Sequence, residues 1–310
     1  MENILDVIKK ARHVTVVAHI HPDADSVGSA SALYTYMLQL HKKVTFYCAT
    51  KAIDPALKCI PWVDKIKHIF PKSSDLVLSA DCGNKFRLGE VSDVLLINFD
   101  HHASNELFGN YNIVNKEAIS TSQVVFDFFV HYNITINSKI ATALYAGLLD
   151  DSRNFLSSKV DEKVFSMAAF LCAKGAKTTI VANHISKQIP LSAFRLKAAM
   201  MSKMQLLSEA HIALFIVPLK MLDDYGAHHR DCELALEESL YLPSVEVSLL
   251  LCENRDLSIK GSLRSKGKMD VNMIAQKFGG GGHICSAGFK ISNQSLEKAL
   301  DTVLEGINVF

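Results

Sequence analysis

The stretch Ala18-His-Ile-His-Pro-Asp-Ala-Asp-Ser-Val-Gly-Ser29 constrains what this chain can fold into more than any other. It follows an apolar, β-branched run, Val14 to Ala18, that reads as a buried strand, and leads into an apolar-periodic segment that reads as a helix. His19, His21, Asp23 and Asp25 stand between them. Pro22 stiffens the loop, Asp25 or Ser26 is placed to cap the helix, and Gly28 permits close backbone approach early in it. Carboxylates and imidazoles at a strand's carboxyl end lie where open α/β sheets bind ligands. Two carboxylates two residues apart repel unless a proton or a cation lies between them. The loop therefore reads either as a solvated Asp-rich turn or as part of a metal site, and the metal site needs partners from elsewhere.

Three later motifs offer such partners. Asp75-Leu-Val-Leu-Ser-Ala-Asp81 and Val94-Leu-Leu-Ile-Asn-Phe-Asp100-His101-His102 are buried-strand patterns that end on Asp or His. Leu144-Tyr-Ala-Gly-Leu-Leu-Asp-Asp151 closes a helical pattern with adjacent acids. Further strands are predicted at Val44–Cys48 and Tyr111–Val114. Helices are predicted at Asn3–Arg12, Ser26–Leu40, Ser120–His131, Ser138–Leu149, Asp161–Lys174 and Thr178–Ser186. Strands alternating with helices predict an α/β domain over residues 1–187, a parallel sheet with helices on both faces. Its strand ends would then converge on one edge. His19, Asp23, Asp25, Asp81, His101 and Asp151 suit two divalent cations bridged by one carboxylate. Carboxylate and imidazole without thiolate favour Mn²⁺, with Mg²⁺ or Co²⁺ as alternatives, over structural zinc. Cys82, beside Asp81, reads as a packed neighbour.

Residues 188–210 read as a linker with a helix over Leu191–Leu207, because Pro190 disfavours helix at Ile189. Residues 211–310 read as a smaller α+β domain. It has strands at His211–Val217, Val245–Cys252, Leu257–Leu263 and Ile284–Ile291, helices at Asp231–Leu240 and Val271–Lys277, and a terminal helix. The net charge of +1 excludes a global footprint for long nucleic acid. The window of Lys260, Arg264, Lys266 and Lys268 contains no acid and suits a few phosphates, or is a solvated basic edge. Seven cysteines without a C-x-x-C pair, no signal-peptide pattern and no apolar run of spanning length predict a cytoplasmic protein without membrane contact.

Taken together, the H-x-x-x-D-x-D loop, the Asp81 strand end, the Asp100-His101-His102 triplet and the Asp151-Ser152 pair resemble the four motifs of the DHH phosphoesterases. Gly279-Gly-Gly-Gly-His283, with Ser262-Leu-Arg264-Ser265 upstream, resembles the accompanying DHHA1 domain. Length and motif order are similar to the nanoRNase/pAp-phosphatase, NrnA-like branch. The resemblance implies cleavage of oligoribonucleotides a few residues long to mononucleotides, with short single-stranded RNA or DNA as substrates, and removal of the 3′-phosphate of 3′-phosphoadenosine 5′-phosphate (pAp). It implies one metal on His19, Asp23 and Asp81 and another on Asp25, Asp81, His101 and Asp151. Asp100 would orient an imidazole, His102 would face the scissile phosphate, and Arg264, Ser265, Gly280, Gly281, Gly282 and His283 would hold the rest of the substrate. Where the family usually has Gly after Asp151-Ser152, this chain has Arg153-Asn154-Phe155, and His21 reads as loop packing.

Within enzymes, a family II pyrophosphatase would carry a basic Ser-Arg-Lys-Lys-type segment instead of the glycine run, and a RecJ-like exonuclease a longer chain. A membrane-type cyclic-dinucleotide phosphodiesterase would place membrane and sensory segments before the DHH domain, which the start at Met1 leads one not to expect. Linear dinucleotides such as pApA or pGpG remain alternative substrates, and a non-enzymatic short-RNA binding protein is the alternative outside enzymes.

Overall fold

The structure, a computed structural model, describes residues 4–186, 189–292 and 294–307. The chain divides into two compact units, Met1–Gln188 and Ile189–Phe310. The expected boundary at 187–188 and the first residue of the expected helix Asn3–Arg12 lie outside the described residues.

The first unit runs α1 (Ile4–Lys10), β1 (His13–Ala18), α2 (Ala24–Gln39), β2 (Lys43–Tyr47), β3 (Leu76–Ala80), β4 (Leu95–Asp100), β5 (Tyr111–Val114), α3 (Thr121–His131), α4 (Ser138–Asp151), α5 (Glu162–Ala173) and α6 (Thr178–Ile185). All five strands pair in parallel, in the order β2-β1-β3-β4-β5. The chain leaves β1 toward β2 but resumes at β3 on the other side of β1. The carboxyl ends of β1 and β3 therefore flank the point where the winding reverses, the place such sheets reserve for ligands.

Strand residues alternate between two cores. Val14, Val16, Leu76, Leu78, Ile97 and Phe99 pack with α2, α3 and α4, whereas Val17, Val77 and Leu96 pack on the opposite face with Leu88, Phe70, Val91 and Phe108. That opposite face is covered by connections and the 3₁₀ turn Lys85–Leu88, not by a second layer of α-helices. A right-handed crossover from β3 to β4 must pass on the face away from α2. The linking residues 81–94 include Gly83 and Gly89, which leave no uninterrupted helical run.

Two glycines set the seam between α2 and α4. A Cβ on Gly28 would lie 2.4 Å from the Ala143 carbonyl oxygen, and one on Gly147 would lie 2.4 Å from Asp25 Oδ1. The helices cross in backbone contact, and that brings the start of α2 against the end of α4.

The second unit runs α7 (Leu191–Ser202), β6 (Gln205–Leu207), β7 (Ile212–Val217), α8 (Leu219–Tyr225), α9 (Glu233–Ser239), β8 (Val247–Glu253), β9 (Ile259–Ser265), α10 (Val271–Lys277), β10 (Gly281–His283), β11 (Ser286–Ile291) and α11 (Leu296–Ile307). Its mixed sheet has the order β10-β11-β9-β8-β7-β6, with β7 and β8 parallel and the other pairs antiparallel. The helix expected to reach Leu207 ends at Ser202. Residues 205–207 pair with β7 instead, and ladder hydrogen bonds win over a helix propensity worth only tenths of a kcal/mol per residue. Ala193, Leu196 and Met200 of α7 pack with Leu222, Leu236 and Phe215, so this helix belongs to the core of the second unit. Gly281 and Gly282 of the glycine run, with His283, form the edge strand β10.

Candidate metal centre

Asp23, not Asp25 or Ser26, caps α2: its Oδ1 accepts from the Ser26 amide at 2.9 Å. The cap displaces Asp25 into the first helical turn, fully buried. There its Oδ2 accepts from the Thr121 amide (2.6 Å) and its Oδ1 from the Ser122 amide (2.9 Å), at the start of α3. Asp81 follows β3 with φ +63°, a left-handed conformation that Asp tolerates better than most residues, and its Oδ1 accepts from Thr121 Oγ1 at 2.9 Å. Asp150, at the end of α4, accepts from the Ala24 amide at 3.1 Å, which ties the end of α4 to the start of α2.

The two inner imidazoles are fixed in the same way. His19 Nδ1 donates to the Ile20 carbonyl at 2.8 Å and His101 Nδ1 to the Ala118 carbonyl at 3.3 Å. A carbonyl only accepts, so each ring when neutral presents Nε2 as an acceptor, which in His19 also lies 2.9 Å from Arg87 Nη2. His19 Nε2 lies 3.2 Å from Asp81 Oδ2 and 3.6 Å from Asp23 Oδ2. His101 Nε2 lies 3.2 Å from Asp151 Oδ2 and 3.6 Å from Asp81 Oδ1. Metal-ligating histidines commonly have this arrangement, one nitrogen held by a backbone acceptor and the other aimed among carboxylates.

His102 differs. Its Nδ1 donates to Asp100 Oδ1 at 2.7 Å, and the ring is 35% exposed. Asp100 is buried and also accepts from the His101 amide and Asn105 Nδ2. Burial would raise its pKa, but the bonds from His102 and Asn105 outweigh this and hold it below the usual carboxylate range. The bond to Asp100 in turn raises the His102 pKa.

Crowding shows in the other acids. Burial, with Asp81 close by, pushes Asp25 up to about 8; burial, with Asp25 and Asp81, pushes Asp151 up to about 10. Asp150 rises to about 6 by burial and the Asp23 charge. Burial lowers the His19 pKa, but its bonds to Asp23 and Asp81 prevail and raise it to about 9. Such a cluster favours a proton or a multivalent cation among its carboxylates.

Ligand atoms within 4.8 Å of one another form three groups among the described residues: His19 with Asp23 and Asp81, Asp25 with His101 and Asp151, and Asp81 with His101 and His102. The sequence-predicted metal residues thus fall into adjoining groups, the first joined to His101 through Asp81 and the group of Asp25 and Asp151 joined through His101. The Cys82 thiol is buried, donates to the Ala80 carbonyl and has its pKa pushed well up by burial, so it supplies no thiolate. The donor set of carboxylate oxygens and imidazole nitrogens fits hard or borderline divalent cations.

Sequence reasoning missed Thr121, Asn105 and Arg87. Arg87, on the 3₁₀ turn Lys85–Leu88, packs over the His19 ring with Nη2 2.9 Å from each ring nitrogen. No motif spacing signals it, because it arrives from the connection after β3. Arg153, Asn154 and Phe155 take φ values of 51°, 57° and 64° directly after α4, the conformation that makes glycine the easy choice here. His21 is exposed and its amide donates to Thr50 Oγ1.

The other predicted residues lie in the second unit. Arg264 Nη2 pairs with Glu233 Oε2 at 2.6 Å, and Ser265 Oγ donates to the Met269 carbonyl. The Gly279 and Gly280 amides bond to the Gln276 and Ala275 carbonyls at the end of α10, so they do not stand free for an anion. Gly281, Gly282 and His283 are exposed on β10. Nor is the basic window unpaired: Glu246 meets Lys268 at 2.9 Å, and Lys266 donates to the Leu242 carbonyl.

Residues 13–148 match the model of the DHH family, N-terminal domain, and residues 213–308 that of the DHHA1 domain. The chain belongs to the DHH/DHHA1 family. This DHH/DHHA1 chain is 27% identical, over 99% of its length and 93% of the relative's, to the bifunctional oligoribonuclease and PAP phosphatase NrnA of Thermus thermophilus. To the protein of the same name from Bacillus subtilis it is 23% identical over 88% and 87%. Its fold superposes on an exopolyphosphatase-related protein from Bacteroides fragilis with a TM-score of 0.87 at 24% identity, covering 97% and 94% of the two chains. No single helix among the described residues is long and apolar enough to cross a membrane.

Proposed function

We propose that this chain is a two-metal phosphoesterase that degrades oligonucleotides of about two to five residues to mononucleotides and removes the 3′-phosphate of pAp. The observation that carries the reading is two adjoining ligand groups, His19 with Asp23 and the buried Asp81, and Asp25 with His101 and Asp151, with His101 also 3.6 Å from Asp81. The names of the Thermus and Bacillus relatives support the substrate class.

His19, Asp23 and Asp81 would hold one divalent cation, and Asp25, Asp81, His101 and Asp151 a second, Mn²⁺ by preference of the donor set. Bound there, the pair would supply a water acidic enough to ionise near neutral pH and positive charge against the phosphoryl oxygens. The chain's own residues do the positioning. Thr121 holds Asp81 Oδ1, and the start of α3 fixes Asp25 through two amides. Asp100 accepts the Nδ1 proton of His102 and favours its imidazolium form, whose Nε2–H would donate to a phosphate oxygen or the leaving group. In the second unit, Arg264, Ser265, Gly281, Gly282 and His283 would hold the distal part of the substrate, with Arg264 kept in place by Glu233 and Gly280 bonded to the end of α10 instead.

A substrate panel tests the reading: RNAs of two to twenty-four nucleotides, short DNA, pAp, pApA, pGpG and pyrophosphate, each with Mn²⁺, Mg²⁺, Co²⁺ or EDTA. Turnover of di- to pentanucleotides and pAp that EDTA abolishes is expected. Preference for pyrophosphate or long strands would overturn the substrate class, and binding without turnover under any metal would overturn the enzymatic reading.

A further inference from the structure

Beside the metal centre, at the carboxyl end of β2, a cavity of about 890 Å³ is lined by Tyr47, Lys51, His68, Ile69, Lys85 and Phe86. Its volume is in the range of small-molecule sites. Two of its walls are unusual. Phe86 is 90% exposed and Ile69 is 86% exposed. A single exposed apolar side chain needs no explanation, but two lining one cavity call for an occupant.

The surroundings indicate its chemistry. Phe86 lies between Lys85 and Arg87 on one 3₁₀ turn, and the Asn84 side chain caps that turn. The turn is fastened to the metal loop, because the Ile20 amide donates to the Arg87 carbonyl at 2.9 Å. Arg87 itself packs over the His19 ring. Neither Arg87 nor Lys51 forms an ion pair among the described residues, and Lys85 meets Asp93 only at 3.8 Å on the surface, a contact worth little. Glu90 is the acid on the cavity rim. An aromatic face flanked by cations, one of them against a candidate metal ligand, is the arrangement by which proteins hold single-stranded nucleotides, with the base stacked and the phosphates on the cations.

We propose that this cavity is the subsite for the nucleoside next to the scissile phosphate, with its base stacked on Phe86 against Ile69, its outer phosphate near Lys51 and Lys85, and Arg87 on the reacting phosphate. The subsite deepens the oligonucleotide reading above and rests on it. It recognises a base by its face, so every base is accepted.

Two measurements on the full chain test it. The first compares kcat/KM for pApA with that for the same dinucleotide made abasic at either position. Stacking on an aromatic ring is worth about ten- to a hundredfold per base. Phe86→Ala should lose about that factor on pApA and much less on the analogue lacking the stacked base, while Phe86→Trp should keep the preference. An equal loss on both substrates, or none, overturns the proposal. The second measurement titrates Phe86→Trp with adenosine 5′-monophosphate or ribose 5-phosphate and follows indole fluorescence against the wild-type Trp62 background. Quenching by the nucleotide alone supports the subsite, whereas quenching by both or by neither overturns it. This readout needs no turnover: a wild-type protein that cleaves no oligonucleotide fails the functional reading, while the titration still decides the subsite. A shift in sedimentation for Phe86→Ala would assign the face to contact between copies of the chain, and would also overturn it.

Discussion

Gly147→Ala is the most direct probe of how this fold builds its site. The added Cβ would stand 2.1 Å from Ser122 Oγ, 2.4 Å from Asp25 Oδ1 and 2.8 Å from Asp25 Cα. Ordinary contact between such atoms needs about 3.5 Å or more, so α4 must retreat from α2 and α3 by about 1 Å. Ser122 could rotate away, but the Asp25 backbone lies inside α2 and cannot move alone. Overpacking of this kind costs about 1–3 kcal/mol. The larger effect falls on the site, because Asp25 and Asp151 sit on the two helices being separated, and a misplacement of about 1 Å can cost a hundredfold in rate. Calorimetric titration with Mn²⁺ should show weakened binding, and melting in EDTA a fall of several degrees. Gly226→Ala is the control. Gly226 has φ +59° with nothing within 4 Å of an added Cβ, so Ala there costs backbone strain of about 1–2 kcal/mol and leaves the metal centre alone. Mn²⁺ binding by Gly147→Ala at wild-type affinity and stoichiometry would refute the argument that the glycine seam positions the ligands.

Asp81→Asn should melt near the wild-type temperature, since Asn also tolerates φ +63°, yet lose bound Mn²⁺ and turnover; Asp81→Ala should lose both and melt lower by the strain of about 1 kcal/mol. Metal analysis and thermal melts separate the two, and full activity in either variant would sink the shared-ligand reading. His101→Ala should lose Mn²⁺, whereas His102→Ala should keep most of it and lose kcat; equal metal loss in both would move His102 into the ligand set. In EDTA, stability should fall as pH rises. Asp25 and Asp151 keep their protons up to about 8 and 10 in the folded chain but release them near 4 when unfolded, so across that interval the folded state binds more protons. Melts from pH 5 to 9 check this, with Asp151→Asn expected to flatten the slope; a stability that rises with pH would show that these carboxylates are not crowded.

What the sequence made legible follows from how local each signal is. The strands ending at Ala18, Ala80 and Asp100 are short apolar runs closed by Asp or His, and a parallel sheet converts three such endings into one edge without further information. His19, Asp81 and His101 were readable for that reason. Asp25 was readable by type but not by role in the helix: Asp23 and Asp25 are equally good caps on paper, and the choice depends on Thr121 and Ser122 arriving from α3 to occupy Asp25. The partners of the acid-free window around Arg264 were hidden for the same reason. Glu233 and Glu246 lie well upstream and reach the window only when β8, β9 and α9 pack. Arg87 marks the far limit of legibility. A lone Arg between Phe and Leu has no periodicity to read, and its place over His19 goes with one backbone bond, Ile20 to Arg87, between the connections that follow the paired strands β1 and β3. His19, Asp81 and His101 of this centre were therefore visible as strand endings, and Asp151 as the end of a helix. The residues that orient or balance their charge come from connections whose path the sheet topology decides, and perturbing that path, at Gly28, Gly147 or the 3₁₀ turn, should disturb the centre without touching a ligand.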